Sequence, residues 1–506
     1  VSKGFPPPGK PDKKGRPRDV LLAGATVGAL VSGLYLDTLA PGVLRYTQIT
    51  QDSPALQAMV PNLGISHPTG YPAYMMLAHL FTYLPVGEVA YRVNLASAVF
   101  AVLAVVLIYL VGLRLSGRVL AGAAGAVAFG VSPAFWGQAV IAEVYTLNAA
   151  FVALIVLLLL LWRERREERY LLLCAFFGGL SLSNHLTSGL LIPAGLAFVL
   201  LTDRRALAGA GTWLRGCGLF ALGLLPYVYL PLRSSARLPE NTGEPSTLPG
   251  FADMVSGGPF KGWMFAFGPV ELAGRLGLYA ERLLDQFPLP VLLFGVLGAV
   301  CMGFRDRAGA ALLGTVFAGT LVFSLGYDVT DVYVFFIPTY LMLAFWISSG
   351  IGVVSGLLEG LLGRFTPDGA RAVLSVGVSI LSLAVTLLGA SVTHAEVDRS
   401  QDRAGREMIR TVSREVEPDA TVVHRRSPLL YMKLVENRRQ DLSLWDFREP
   451  HTRRELARAT EALHRGDLYF LTPDPDMIER FEAGGYEMVR VEEDVLYRAE
   501  PSGSSV

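Results

Sequence analysis

Arg92-Val93-Asn94-Leu95-Ala96-Ser97-Ala98-Val99-Phe100-Ala101-Val102-Leu103-Ala104-Val105-Val106-Leu107-Ile108-Tyr109-Leu110-Val111-Gly112-Leu113 carries no charge after its first residue. At about 1.5 Å of rise per residue, a helix of that length crosses the roughly 30 Å hydrocarbon core of a bilayer. About eleven apolar runs of about 16 to 24 residues recur along the first four-fifths of the chain. They lie near Val20 to Ala40, Arg92 to Leu113, Val119 to Trp136, Thr146 to Trp162, Tyr170 to Ser183, Leu186 to Leu201, Trp213 to Leu230, Pro290 to Met302, Gly309 to Gly326, Val332 to Ile351 and Arg371 to Thr393. With 506 residues, 52% of them hydrophobic, and a mean hydropathy of +0.42, the chain reads as an α-helical polytopic membrane protein and not as a soluble enzyme.

The formal net charge of +0 conceals a segregation that orients the helices. Lys3, Lys10, Lys13, Lys14, Arg16 and Arg18 load the amino-terminal tail, and alternate short loops carry Arg114 and Arg118, Arg163 to Arg169, Arg204 and Arg205, Arg305 and Arg307, and Arg364 and Arg371. These belong in the cytoplasm, so an odd number of crossings places loops 41–91 and 233–287 and everything after Thr393 on the outer side of the cell (inner) membrane. Residues 1–19, rich in Pro, Lys and Gly, read as a disordered cytoplasmic tail, and 20–394 as the transmembrane domain. The first apolar run lacks a small-residue cleavage pattern and reads as a retained helix. Cys174, Cys217 and Cys301 all fall in apolar segments, so no disulfide framework is implied.

Past Thr393 the composition turns charged, with helical stretches (Asp398 to Val416, Leu429 to Glu436, Thr452 to His464 and Asp474 to Ala483) alternating with strand-like ones (Ala420 to His424, Asp441 to Trp445, Asp467 to Leu471, Tyr486 to Val491 and Asp494 to Tyr497). That pattern predicts a small exported α/β domain over 395–506. No Gly-rich phosphate loop follows its strands, and no nucleic-acid partner is expected.

Chemistry-bearing residues collect in the outer loops. Loop 41–91 holds Asp52, His67 and Tyr71, with Arg92 at its end; His67-Pro68 and Tyr71-Pro72 fix a turn, and Pro72 can start a short helix whose amino end attracts phosphate. The plainer reading is a rigid re-entrant turn with a solvated carboxylate. Glu143 stands at a helix start, where the helix dipole alone can explain an acid. Asn184-His185 interrupts two apolar runs as a turn, a ligand or a base. Arg233 and Arg237 begin the large outer loop, suited either to grip a lipid phosphate through two hydrogen bonds or to anchor the interface. No HExxH or CxxC spacing supports a dedicated metal site.

In their order and spacing, Asp52-Ser53 with Gly64-Ile65-Ser66-His67-Pro68-Thr69-Gly70-Tyr71-Pro72, Tyr91-Arg92-Val93-Asn94-Leu95, Ala142-Glu143-Val144-Tyr145-Thr146-Leu147-Asn148, Asn184-His185-Leu186-Thr187 and Tyr229-Leu230-Pro231-Leu232-Arg233 make a series. The series resembles the protein O-mannosyltransferase-like family of bacterial polytopic proteins, within the GT-C superfamily of membrane glycosyltransferases. The resemblance implies a GT-C-like fold, a polyprenyl-phosphate sugar as lipid-linked donor, an outer-face site, inversion at the anomeric carbon and an acidic base in the first outer loop. Asp52 matches that base, with Glu143 as the next acid, His67 to orient it, and Arg233, Arg237 and Arg92 to hold phosphate. The acceptor hydroxyl, on protein, lipid or glycan, stays open. Pro54-Ala55 stands where the family has Gly-Glu, which removes a second acid and with it an Asp-Glu pair that could bridge a divalent metal; Thr242-Gly243-Glu244-Pro245 replaces Trp-Gly-Asp-Pro. A transporter or flippase would place ionisable groups in mid-membrane, and a non-catalytic scaffold would use the exported domain for binding.

Overall fold

The apolar runs fold as helices whose ends sort onto two faces. The structure, a computed structural model, describes residues 16–235, 245–362, 368–446, 461, 467–473, 475–492 and 495–501. Helix α1 (Pro17–Asp37) leads to the face that holds the short helices α2 (Ser53–Asn62) and α3 (Pro72–His79), and α4 (Val89–Ser116) returns. The chain then passes through α5 (Val119–Gly130) and α6 (Pro133–Ala139), bent by 71°. Next come α7 (Tyr145–Arg165), α8 (Glu168–Leu182), α9 (Leu191–Asp203), α10 (Ala210–Gly223) and α11 (Tyr229–Ser235). After α12 (Leu248–Val255) and α13 (Pro269–Gln286), the remaining passages are α14 (Leu289–Arg305), α15 (Arg307–Gly326), α17 (Ile337–Leu362) and α18 (Asp368–Val397), with one short turn, α16 (Val332–Phe335), ahead of α17.

Among the described residues 7 helices are long and apolar enough to span a bilayer, or up to 10 if each bent pair is one span. The remaining expected crossing is α8, only 15 residues long. Its start lies beside Arg215, which pairs with Glu168 at 2.9 Å, and its end leads to His185, whose ring meets that of Tyr145 at the opposite end of α7. It therefore connects the two faces, packed between α7 and α10. The arginine-rich face is tied by Arg118 to Glu359 (2.9 and 2.7 Å, two-pronged), Arg163 to Asp306 and Arg166 to Asp203. Leu200, Leu214, Leu293, Val322 and Leu388 stay exposed on the helices' flanks, the surface that lipid covers in a membrane protein. Inside, Tyr35 donates to the Gly130 carbonyl (2.7 Å) and the Trp136 indole to Thr38 (2.9 Å), so these two buried rings keep their polar atoms satisfied. Helix α1 starts at Pro17, a residue pre-set for a first helical turn, so the helix takes in the last residues of the stretch expected to be a disordered tail.

Beyond α18 the alternating pattern folds as α19 (Ala404–Glu415), β1 (Thr421–His424), α20 (Leu429–Leu434), β2 (Ser443–Asp446), β3 (Leu468–Leu471), α21 (Pro475–Ala483), β4 (Tyr486–Glu492) and β5 (Leu496–Pro501). The 5-stranded sheet has the order β2-β1-β3-β5-β4, with β1 parallel to β2 and β3 and the β4-β5 hairpin antiparallel. A helix expected from Asp398 begins at Ala404 instead, where Asp402 accepts the Ala404 N–H (3.1 Å). The helix expected over Thr452 to His464 lies, apart from residue 461, outside the described residues.

This unit is seated on the membrane part. Leu429, Leu430, Tyr431 and Met432 are buried, with α20 packed on α2. The Tyr431 hydroxyl takes the Ala90 N–H (3.2 Å), Arg406 bridges Glu88 and Glu436, and a Cβ on Gly405 would collide with the backbone of Val43 and Leu44.

Candidate functional site

Helix α2 carries the site at its amino end. A buried polar chain fixes the helix: Gln57 accepts the Leu44 N–H (2.9 Å) and donates to Asn94 (2.8 Å), and Asn94 donates to the Ala40 carbonyl (3.0 Å). Asp52 occupies the N-cap position without spending its carboxylate on a cap, so the group points into the space between loops. One oxygen meets His67 Nε2 at 3.4 Å, and the other is paired with the guanidinium of Arg426. His67 is held in turn by Tyr71 Oη (2.9 Å, on Nε2) and Ser66 Oγ (3.2 Å, on Nδ1).

The turn that delivers His67 and Tyr71 depends on Gly70, whose φ of +81° suits glycine and whose Cβ, if present, would lie 2.7 Å from Leu230 Cδ2. Tyr71 then enters α3 in a left-handed conformation. The helix-end phosphate site expected at Pro72 is partly occupied, because Ala73 N–H donates to the Ser183 carbonyl (3.2 Å).

His185 stacks on Tyr71 (6.3 Å between ring centroids) and bonds Thr187 Oγ1 (2.8 Å). Burial, assisted by the nearby His67, lowers its pKa to about 4, so it is a neutral imidazole at physiological pH. Glu143 lies just ahead of α7, its backbone pinned by Ser97 (Glu143 N–H to Ser97 Oγ, 3.0 Å). The backbone N–H groups of Asp52 and Val144 act on its carboxyl in the direction that lowers its pKa, and Oε2 has no hydrogen-bond partner among the described residues. Burial first, and then the charges of Asp52 and Asp331, hold the Glu143 carboxyl well above the usual range. Asp331 is pushed up to about 6 by burial and by Asp52. The three carboxyls thus lie close enough for their charges to oppose one another, and burial adds to that opposition at Glu143 and Asp331.

The structure therefore brings Asp52, His67, Tyr71, Glu143 and His185 together. Arg233 and Arg92 are elsewhere. Arg233 donates to the carbonyls of Leu63 (2.7 Å) and Asn62 (2.8 Å), closing the carboxyl end of α2, and Arg92 to those of Thr82, Val86 and Gly87 (2.7, 2.8 and 3.0 Å). Arg237 lies outside the described residues. The group that sequence reasoning missed is Arg426, 374 residues from Asp52. A signal for it existed: Arg425-Arg426 follows β1 at the carboxyl end of the parallel strands, beside the point where chain order reverses between β1 and β3, the usual ligand edge of an α/β sheet. Among the described residues no group of three or more His, Cys, Asp or Glu is arranged to hold a metal ion.

Comparison with known proteins bears out the resemblance carried by these motifs. Residues 52–208 match the family model described as the protein O-mannosyl-transferase TMEM260 N-terminal domain. The mouse protein O-mannosyl-transferase TMEM260 is 31% identical over 280 residues, 53% of this chain and 40% of the mouse protein, so the chain spans well under half of that relative's length. ArnT from Cupriavidus metallidurans, in a crystal structure with undecaprenyl phosphate, superposes with a TM-score of 0.60 at 13% identity, over 95% of this chain and 97% of ArnT. An Archaeoglobus fulgidus oligosaccharyltransferase tethered to an acceptor peptide gives a TM-score of 0.51 at 11% identity, over 84% of this chain and 64% of that one. The chain shares its GT-C-like fold with ArnT and carries a small carboxy-terminal sheet.

Proposed function

We propose that the chain is a membrane glycosyltransferase that moves a hexose, with mannose the family's precedent, from a polyprenyl-phosphate sugar to an acceptor hydroxyl at the outer membrane face. The observation that carries this reading is the half-enclosed Asp52 carboxylate, backed by the His67-Tyr71 pair and set on the face opposite the arginine-rich loops. Positive loops mark the cytoplasmic side, which supports an outer site and an exported sheet domain. A neighbour in fold that binds undecaprenyl phosphate supports a lipid-linked donor. Among the described residues the buried Asp, Glu, Lys or Arg is Glu143, and it sits at this face and not in mid-membrane, which favours surface chemistry over transport.

In the step itself the acceptor oxygen attacks the anomeric carbon while Asp52 takes its proton, and the bond to the phosphate oxygen breaks with its electron pair on the phosphate. Direct displacement of this kind inverts the anomeric centre. His67 holds the Asp52 carboxylate from one side, and Tyr71 keeps that imidazole oriented. Glu143 stands as the next base candidate.

Replacing Asp52 with Asn keeps size and most hydrogen bonds but removes the base. With the full chain in lipid and polyprenyl-phosphate mannose as donor, Asp52→Asn is expected to lower donor consumption by roughly two orders of magnitude or more, and His67→Ala by less. Wild-type turnover in Asp52→Asn would move the base to Glu143. If Glu143→Gln were equally active, the base would lie at neither acid, and a wild type that consumes no donor would reduce the enzymatic reading to that of a binding scaffold.

A further inference from the structure

Arg426 does not belong to the membrane domain, yet it is the guanidinium that touches Asp52. Its place is built. The Arg426 backbone is in the left-handed region (φ +39°), its N–H donates to Asp446 Oδ1 at the end of β2 (3.0 Å), and Arg425 beside it lies over the Tyr46 ring (5.1 Å). The following helix α20 is clamped on α2 by four consecutive buried side chains. An arginine so placed is not a wandering surface charge.

A problem follows for the transfer reaction. With Arg426 on one Asp52 oxygen and His67 facing the other, an acceptor hydroxyl finds both oxygens engaged. The expected phosphate holders Arg233 and Arg92 bond backbone carbonyls instead. Arg426 can meet both needs. A guanidinium carries five N–H donors, and among the described residues the recorded side-chain hydrogen bond of Arg426 comes from Nη1 alone. Burial opposes its charge, but Asp52 and then Asp446 outweigh that, so it stays a cation in the site.

Resting on the glycosyltransferase reading, we infer that Arg426 is the sheet domain's contribution to the donor site: it pairs with Asp52 when no donor is bound and turns its fork onto the donor phosphate when one is. The move frees an Asp52 oxygen for the acceptor proton. It also matches the charge flow, since breaking the sugar–phosphate bond converts a phosphodiester monoanion into a polyprenyl phosphate bearing one more negative charge, and a bidentate guanidinium stabilises that product-like state. The base thus stays paired until a substrate supplies a replacement anion.

The test measures binding of undecaprenyl phosphate to the full chain in phosphatidylcholine nanodiscs, with melting temperature as the control for folding. Arg426→Ala is expected to weaken binding about tenfold or more, and Arg426→Lys, which keeps charge without the fork, to lie between. Should the Ala variant fail to fold, Arg426→Gln carries the same expectation. Asp52→Asn releases the cation and is expected to tighten binding about fivefold, a gain that disappears in the Asp52→Asn/Arg426→Ala double variant. A wild-type affinity in folded Arg426→Ala would overturn the inference and leave the glycosyltransferase reading standing, with Arg426 a structural clamp on Asp52. Abolition of the Arg426-dependent binding by phosphatidylglycerol in the nanodiscs would also overturn it, assigning the cation to ordinary headgroups. No binding of undecaprenyl phosphate by wild type would sink the parent reading and this one together.

Discussion

Helix α2 is gripped by an arginine at each end, and the two do opposite work. At its carboxyl end Arg233 spans the Asn62 and Leu63 carbonyls, the atoms a helix leaves without partners and where its dipole is negative. At its amino end Arg426 meets a side chain, Asp52, that the helix itself does not use. The first arginine completes the backbone; the second completes a charge that chemistry can borrow. The two ends are separated by about 15 Å of helix, so they can be altered one at a time.

The comparison breaks most visibly at Arg233. Arg233→Ala leaves two carbonyls without their charged donor and is expected to cost about 2 to 3 kcal/mol of stability. Lys, a single point of charge, recovers part of that. The check is the melting temperature in detergent together with KM and kcat: loss of stability with little change in KM marks a backbone clamp. A KM rising well beyond the stability loss would return Arg233 to the donor site that its position at the start of the outer loop first suggested.

A somewhat smaller effect is expected in the turn that delivers His67 and Tyr71. Gly70→Ala adds a Cβ 2.7 Å from the fully buried Leu230 and asks alanine to hold φ +81°, at about 1 to 3 kcal/mol. Because the same turn presents His67 and Tyr71, turnover should fall as well. A variant as stable as wild type with normal turnover would show that the turn does not position the His67-Tyr71 pair.

Much of this was legible in the sequence, and the limits are physical. Each apolar run became helical, Val119 to Trp136 and Trp213 to Leu230 as bent pairs, because a bilayer-length stretch without charge has few alternatives. The amphipathic stretches after Thr393 folded as the alternating pattern implied, to within a few residues, except where they lie outside the described residues. Asp52, His67, Tyr71, Glu143 and His185 meet because their loops all open on one face, which the arginine pattern had already sorted. What a single sequence could not show was pairing across the fold. Arg233 reads as a cation at headgroup depth whether it meets a phosphate or a carbonyl, and only the packing of α11 against the end of α2 decides. Arg426 lay hidden because its partner is 374 residues away and its helix-loop neighbours look like any surface segment. Ala55, which departs from the family pattern, lies in the first turn of α2.

The carboxyls near Asp52 sharpen what the amino end of α2 tolerates. Asp331 has a pKa of about 6 in the folded chain against an ordinary 3.8, raised by burial first and by Asp52 second. Below the ordinary value both folded and unfolded chains carry the proton, and the site adds no pH dependence. Between the two values the unfolded chain releases the proton while the folded chain keeps it, so stability falls as pH rises through this window and stays lowered above about 6. Asp331→Asn removes that penalty. The variant should therefore gain melting temperature relative to wild type at pH 7.5, and the gain should shrink as pH falls from 6 towards 4. If the gain were the same at every pH, the strain would be one of packing and not of charge. If wild type were instead stabilised at pH 7.5, Asp331 would have to be ionised and paired in the fold, and Arg426, which lowers its pKa, is the cation that would be shared between it and Asp52.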